Sequence, residues 1–299
     1  VRSSIALAIS RSLPVLGGNV MATSYRRYAG GAVTILLAAA RSGVECVHSG
    51  AVGTGPNGDL VRGALAAEGV TLSAPPVADL DTGVCVVLVE PSAERTFVTT
   101  QGAERQITVQ SLAASNPVPG DLVCVSGYSL VGRTRDPLVE WLDTLADGVV
   151  VVLDPGATFA GLAEPLRDRV LARTDVWTGN ADEAAALTGV RGMREAAEVV
   201  ATLLAPDAVT IVRDGARGCA VRESGRTTHC PGHPQRPVDT NGAGDTHTGV
   251  LLAERATGAS WPEAAARANT AGAIKVTRRG PDTAPTRAEI DAFLAALPR

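Results

Sequence analysis

Short runs of β-branched residues alternate with longer Ala/Leu-rich segments along most of this chain, and that alternation limits the folds open to it. Strand-like runs fall at 44–49, 121–126, 148–153, 208–213 and 218–222. Segments with helical length and patterning fall at 32–42, 58–68, 133–146, 193–204, 245–257, 262–275 and 286–297. A strand that returns to its sheet through a helix must lie parallel to the strand it left. The pattern therefore predicts a three-layer α/β/α domain with a mostly parallel central sheet, one domain over residues 1–299. The stretch 80–101 breaks the alternation. Two β-rich runs there flank Glu90-Pro91-Ser92-Ala93-Glu94-Arg95, which predicts a hairpin in a small sheet standing off the main one.

Composition removes several classes of function. With 27 basic and 31 acidic residues and no long like-charge run, the chain lacks the basic face of a nucleic-acid binder. No apolar stretch approaches the ~18 residues that would span a bilayer. The first residues resemble no complete signal peptide, so the expected location is cytoplasmic. Five dispersed cysteines without a C-x-x-C pair read as thiols. His229, Cys230 and His233 lie close in sequence but lack a second ligand pair, so they read as a strand end and loop rather than a metal site. Basic residues comprise 26 arginines and one lysine, Lys275, which has no G-x-x-x-x-G-K-[ST] context. The protein-kinase motifs are missing as well, so phosphate chemistry here would follow neither scheme.

Gly53-Thr54-Gly55-Pro56-Asn57-Gly58 matches G-x-G-x-x-G, which keeps a nicotinamide-dependent dehydrogenase open as an alternative. The match sits in the second βα unit, and Ala74-Pro75-Pro76 interrupts the segment where an acidic strand end belongs ~20 residues on.

Asp239-Thr240-Asn241-Gly242-Ala243-Gly244-Asp245 carries the strongest chemical signal, because it opens a helix that is apolar along one side. Gly242, Ala243 and Gly244 let backbone N–H groups converge at the helix N-terminus, where free donors and the helix dipole favour an anion. Such an anion hole suits a γ-phosphoryl group in transfer. Asp245, in the first turn, is placed to accept the proton of an attacking hydroxyl. The plain alternative is a glycine loop with a capping aspartate.

This segment resembles the C-terminal signature of the ribokinase-like (PfkB) carbohydrate kinase family, and the resemblance runs in order along nearly the whole chain. Tyr28-Ala29-Gly30-Gly31, followed by 38–43, resembles the N-terminal signature, and Gly50 to Gly58 resembles the next segment. Asp154-Pro155-Gly156 resembles the family's Asp-Pro step after a central strand. Asn180-Ala181-Asp182-Glu183 resembles its N-x-x-E motif, and Arg213 to Gly218 its nucleotide-side glycine turn. The resemblance implies ATP and Mg²⁺ as cofactors, with Asp245 as catalytic base and Glu183 holding the metal through water. Asn180, Arg213, Gly215, Gly218 and Asn269 would face the nucleotide, while Gly30, Gly31, Thr34 and Gly53 would face a sugar-like acceptor. Arg278 to Pro281 lies where many members carry a monovalent-cation (K⁺) loop. The small sheet, from roughly 12–28 and 80–101, would be a lid whose edges could pair two subunits into a homodimer.

The departures from the family pattern fall on the acceptor side. Thr34 stands where an Asn is usual, Ile5 and Gly55 where an Asp is usual, and the first strand reads as short. A nucleoside kinase, and a nucleotide-binding protein of this fold with weak kinase activity, remain alternatives to a sugar kinase.

Overall fold

A computed structural model describes residues 2–9, 13–90 and 95–297. In chain order its elements are β1 (Arg2–Ile9), β2 (Ala22–Gly30), α1 (Ala32–Arg41), β3 (Val47–His48), α2 (Pro56–Ala67), β4 (Thr71–Leu72), β5 (Val84–Val89) and β6 (Arg95–Thr99). Next come α3 (Val109–Ala113), β7 (Leu122–Ser126), α4 (Arg135–Leu142), β8 (Val150–Asp154), α5 (Glu164–Ala172), β9 (Val176–Asn180), α6 (Ala181–Thr188) and α7 (Met193–Ala201). The last are β10 (Val209–Arg213), β11 (Cys219–Glu223), β12 (Arg226–Cys230), α8 (Ala243–Ala256), α9 (Trp261–Val276) and α10 (Arg287–Ala295).

The main sheet has strand order β12-β11-β10-β9-β8-β7. Strands β7 to β10 are parallel, and β11 and β12 add an antiparallel hairpin. Alternation along the strands splits the core between the two faces. Val151, Leu153, Trp177, Val212 and Ala220 point to one side, with Trp141, Val170, Ala184 and Val200. Val152, Val176, Ile211, Cys219 and Val221 point to the other, with Ala38, Leu251, Ala268 and Ile290. Strands covered on both faces bury both sets of side chains, which is why β8 and β10 read as near-continuous apolar runs.

The small sheet has order β2-β1-β5-β6, with β1 antiparallel to β2 and parallel to β5. The first strand is thus not short: it covers eight residues and lies inside the small sheet. Of residues 12–28, only Ala22 onward forms strand, while 13–21 lack regular structure and Ser12 lies outside the described residues. In the segment 80–101, β5 and β6 pair as the expected hairpin, whose tip at 91–94 is likewise outside them. The run 44–49 yields only β3, which pairs with β4 and not with the main sheet. Strand β9 was not legible in the sequence, because Trp177-Thr178-Gly179-Asn180 ends in turn-formers. Pairing with β8 and β10 on its two sides fixes it as strand.

Helices α1 and α8 lie side by side, and a side chain at Gly249 would run into the Ile35 carbonyl and Ala38. At their far ends, Arg287 joins them by donating Nε to the Ser42 carbonyl and Nη1 to Glu254. The two helices therefore run parallel, with their N-termini at the same end of the molecule.

Candidate active site

Each of those N-termini begins at a glycine and carries no side-chain cap. Gly31 precedes α1 with φ 65°, and Gly242 precedes α8 with φ 76°, a left-handed turn that favours glycine. Two uncapped helix starts give N–H donors and positive dipole ends to one mouth. The turn before α8 is tied down from behind. Asp239 Oδ1 accepts from the Asn241 N–H at 2.9 Å and Oδ2 from the Gly280 N–H at 3.0 Å. Lys275 Nζ donates to the Asp239 carbonyl at 2.8 Å. A Cβ at Gly242 would press on Pro281, which closes the turn from the other side.

Arg213 sits beneath this turn at the carboxyl end of β10, almost fully buried. Its Nη1 donates to the Gly244 carbonyl at 2.7 Å and to Thr248 Oγ1 at 3.3 Å. Its Nη2 donates to the Thr178 carbonyl at 3.3 Å and to Asp154 Oδ2 at 3.5 Å, and Glu183 lies 3.9 Å away. Thr248 Oγ1 also donates to Asp154 at 3.0 Å. The carboxyl ends of β8, β9 and β10 and the head of α8 are thereby joined through one guanidinium. Ligands of such sheets bind at this edge.

The electrostatics follow from that crowding. Burial first, then the Asp154 carboxylate, pushes the Asp245 carboxyl up to about 7, with Glu183 adding and Arg213 and Lys275 opposing. Burial likewise raises Glu183 against the pull of Arg213. A carboxyl poised near neutrality can both hold and release a proton at working pH. His247, one turn into α8, is pushed down to about 3 by burial and by Arg213, so it is neutral.

The other expected site residues divide by location. Asn180 and Glu183 form a reciprocal capping box at the start of α6, each accepting from the other's backbone N–H at 2.8 Å. The motif thus folds as a helix start and still brings Glu183 to Arg213. Gly215 has φ 53° and open space where a side chain would be, whereas a Cβ at Gly218 would strike the Cys230 carbonyl and the Gly232 nitrogen. Asn269 is buried. Its Nδ2 donates to the Cys230 and Pro231 carbonyls, and its Oδ1 meets His247 Nε2, so it fastens the segment after β12 to α8.

Of the residues expected to face an acceptor, Gly31 faces open space and Thr34 is buried with its hydroxyl unpartnered. Gly30 packs on Ser4, and Gly53 is required by the close approach of the Leu80–Thr82 backbone. Asp81 fills the space beside Gly55 where a side chain would stand. Its carboxylate receives the Asn57 and Gly58 N–H groups and Asn57 Nδ2 at 2.7 Å. Burial opposes ionisation there, but these donors hold the carboxyl below the usual range. The G-x-G-x-x-G loop is therefore occupied by a protein carboxylate rather than left free to cradle a pyrophosphate.

Sequence reasoning missed Thr248 and Asp81, and gave no catalytic-site role to Asp154 or Lys275. Lys275 carried a signal in being the single lysine of the chain. Thr248 lies one turn after Asp245 on the same helix face, but nothing local marks it.

Among the described residues, no three His, Cys, Asp or Glu side chains converge into a metal cage. Glu183 and Asp154 nevertheless supply hard oxygen donors beside the anion hole, which fits a Mg²⁺ ion held mainly by phosphate and water. His229 instead contacts the Arg217 carbonyl, and the His233 ring packs edge-on against Phe293.

Comparison with known proteins agrees with this geometry. The family model described as "pfkB family carbohydrate kinase" matches residues 7–287, and the chain belongs to that family of ATP-dependent kinases of sugar-like small molecules. It is 33% identical to the uncharacterized sugar kinase YegV of Escherichia coli (strain K12), over 95% of this chain and 89% of that protein. A ribokinase from Thermotoga maritima superposes with a TM-score of 0.80 at 22% identity, covering 98% of this chain and 96% of that one. A fructokinase from Vibrio cholerae O395, solved with fructose, ADP and potassium ion, gives a TM-score of 0.79 at 24% identity, with coverage of 98% and 96%. The membership sets aside the dehydrogenase reading of the Gly53–Gly58 loop. No helix among the described residues is long and apolar enough to cross a membrane.

Proposed function

We propose that Asp245 accepts the proton of an acceptor hydroxyl while the N–H groups of Gly242, Ala243 and Gly244 receive the γ-phosphoryl group of ATP. The observation that carries this reading is a carboxyl in the first turn of a helix whose N-terminus no side chain caps, with Arg213 fixing that turn from beneath. The residues' part is positional: the turn orients the phosphoryl group, Arg213 fixes the turn, and Asp245 moves one proton. Mg²⁺, when bound near Glu183 and Asp154, would spread the phosphate charge. Asn180 and Gly215 lie toward the nucleotide side of the cluster, and Arg213, Gly218 and Asn269 shape that side from within. Gly30, Gly31, Thr34 and Gly53 border the acceptor side.

The small sheet acts in this reading as a lid that closes over the acceptor and excludes water. Half-buried Ile5, Leu7, Val86 and Leu88 lie on one of its faces, which favours an acceptor with an apolar part, such as a modified sugar or a nucleoside. Its edge strands expose Tyr25, Phe97 and Val98, which supports pairing of two subunits through the lid. A cytoplasmic enzyme is the setting that supplies ATP.

The test has two parts. Melting temperature should rise with Mg-ATP and not with NAD or NADP, because a ligand that binds only the native state stabilises it. ATP consumption across pentoses, hexoses, sugar phosphates and nucleosides should then single out the acceptor class. A shift with a nicotinamide nucleotide alone would defeat the proposal.

A further inference from the structure

The only lysine of the chain is also one of its most deeply buried large side chains. Elsewhere the sequence meets its need for positive charge with arginine 26 times. At position 275 it keeps a compact ammonium, and the structure shows what that ammonium touches. Lys275 projects from the last turn of α9, fully buried, and its Nζ donates to the Asp239 carbonyl at 2.8 Å. Asp239 opens the phosphate-binding turn. The same short segment is clamped by the Val238 and Asp239 N–H groups on the Val276 carbonyl, and by the Gly280 N–H on the Asp239 carboxylate. The ammonium is therefore bonded to the first residue of the turn, the same residue whose carboxylate holds the Gly280 N–H.

We propose that Lys275 is the built-in cation of the phosphate-binding turn, standing in for a bound monovalent cation so that this kinase needs no potassium. The proposal rests on the kinase reading above. A charge-assisted hydrogen bond to the Asp239 carbonyl is stronger than a neutral one. Holding that carbonyl inward orients the following peptide planes, so their N–H groups face the mouth. A bound K⁺ would act through the same kind of carbonyl oxygen, and it would have to share this space with a fixed positive charge. Two like charges at one carbonyl repel, so the loop does not fit both. Asp154 and Glu183 share Arg213 and both oppose ionisation of Asp245; Lys275 supplies a second positive charge that favours it. Guanidinium is larger and planar, and would displace α9 from the turn.

Two arms test the proposal. The wild-type protein is assayed for turnover, and for its Mg-ATP-dependent rise in melting temperature, in KCl and in tetramethylammonium chloride of equal ionic strength. Both readouts are expected to be the same in the two salts. Clear dependence of either on potassium overturns the proposal, whatever the variants do. In the second arm, Lys275→Met, nearly equal in shape, is expected to lose at least ~10-fold in kcat, less than the ~10²–10³ for deleting a direct oxyanion donor. It should also show a smaller Mg-ATP shift, while Lys275→Ala regains activity and shift when potassium or ammonium is added. Lys275→Met with wild-type kcat and Mg-ATP shift would overturn the proposal. If the Met variant fails to fold, Lys275→Ala with and without potassium and the wild-type salt series still decide it. If the wild type phosphorylates no acceptor yet is stabilised by Mg-ATP, the kinase reading has failed, and the salt dependence of the Mg-ATP shift tests Lys275 alone.

Discussion

The two sides of the active-site mouth are built from different materials. On the side proposed to receive the phosphoryl group, Asp154, Glu183 and Arg213 lie at strand and helix ends near Asp245 and Lys275, and three backbone carbonyls are committed to Arg213 and Lys275. On the side proposed for the acceptor the polar groups are few. Thr34 has an unpartnered hydroxyl, Ile5 is apolar, and the carboxylate of Asp81 is spent on the start of α2. The contrast teaches that phosphate chemistry requires a fixed and costly arrangement, whereas acceptor recognition can change with a few side chains. Buried charges survive only where each is paired. A substitution on the phosphoryl side therefore disturbs the whole cluster, and one on the acceptor side stays local.

The largest effect is expected at the centre of the phosphoryl side. Asp245→Asn should lower kcat by at least ~100-fold, the usual scale for a positioned general base, with nucleotide affinity and fold retained. Turnover and ATP affinity measured on one preparation check it, and near-normal turnover would remove Asp245 from the mechanism. Gly244→Val should be almost as damaging. A Cβ there would stand 2.8 Å from Arg213 Nη1, so the guanidinium must leave the Gly244 carbonyl and the turn must shift. Loss of phosphate-analogue binding out of proportion to the fall in melting temperature is the expected pattern. Unfolding instead would mark the glycine as a packing requirement.

The pH profile sharpens the comparison further. Asp245 must be ionised to accept a proton, and its carboxyl is raised to about 7. Below that value kcat should fall by roughly tenfold per pH unit, and above it should level off. A profile flat down to the ordinary carboxylate range would show that the cluster does not hold Asp245 as described. The smallest effect is expected on the acceptor side. Wild-type kcat/KM for ribose and fructose should lie below the ~10⁴ M⁻¹s⁻¹ at the low end for dedicated enzymes. Thr34→Asn should raise it by a factor consistent with one hydrogen bond of ~0.5–1.5 kcal/mol. High wild-type activity on either sugar would mean that other residues hold the acceptor.

Most of the main sheet and of the turn before α8 was legible in the sequence, because those signals are local. Val150 to Leu153 are apolar on both faces, and Val209 to Val212 nearly so with Thr210 between, since both faces are covered. Gly242 to Asp245 announces itself by glycine content and position. Strand β9 was not legible, and neither was the placement of β1, because their state depends on partners far along the chain. The same holds for Asp81, which reaches the Gly55–Gly58 loop from 24 residues beyond Asn57.

The sequence by itself determined the alternation of strand and helix, the glycine-rich turn and the carboxylate at its head, since each depends on residues close together in the chain. Tertiary structure alone decided which charges meet at that turn. Asp154, Glu183, Arg213 and Lys275 come from four separate elements, and only the parallel packing of β8, β9 and β10 with α8 and α9 over one face brings them within reach of Asp245. That convergence sets the proton affinity of Asp245, because burial and the neighbouring charges fix it and neither exists until the chain has folded.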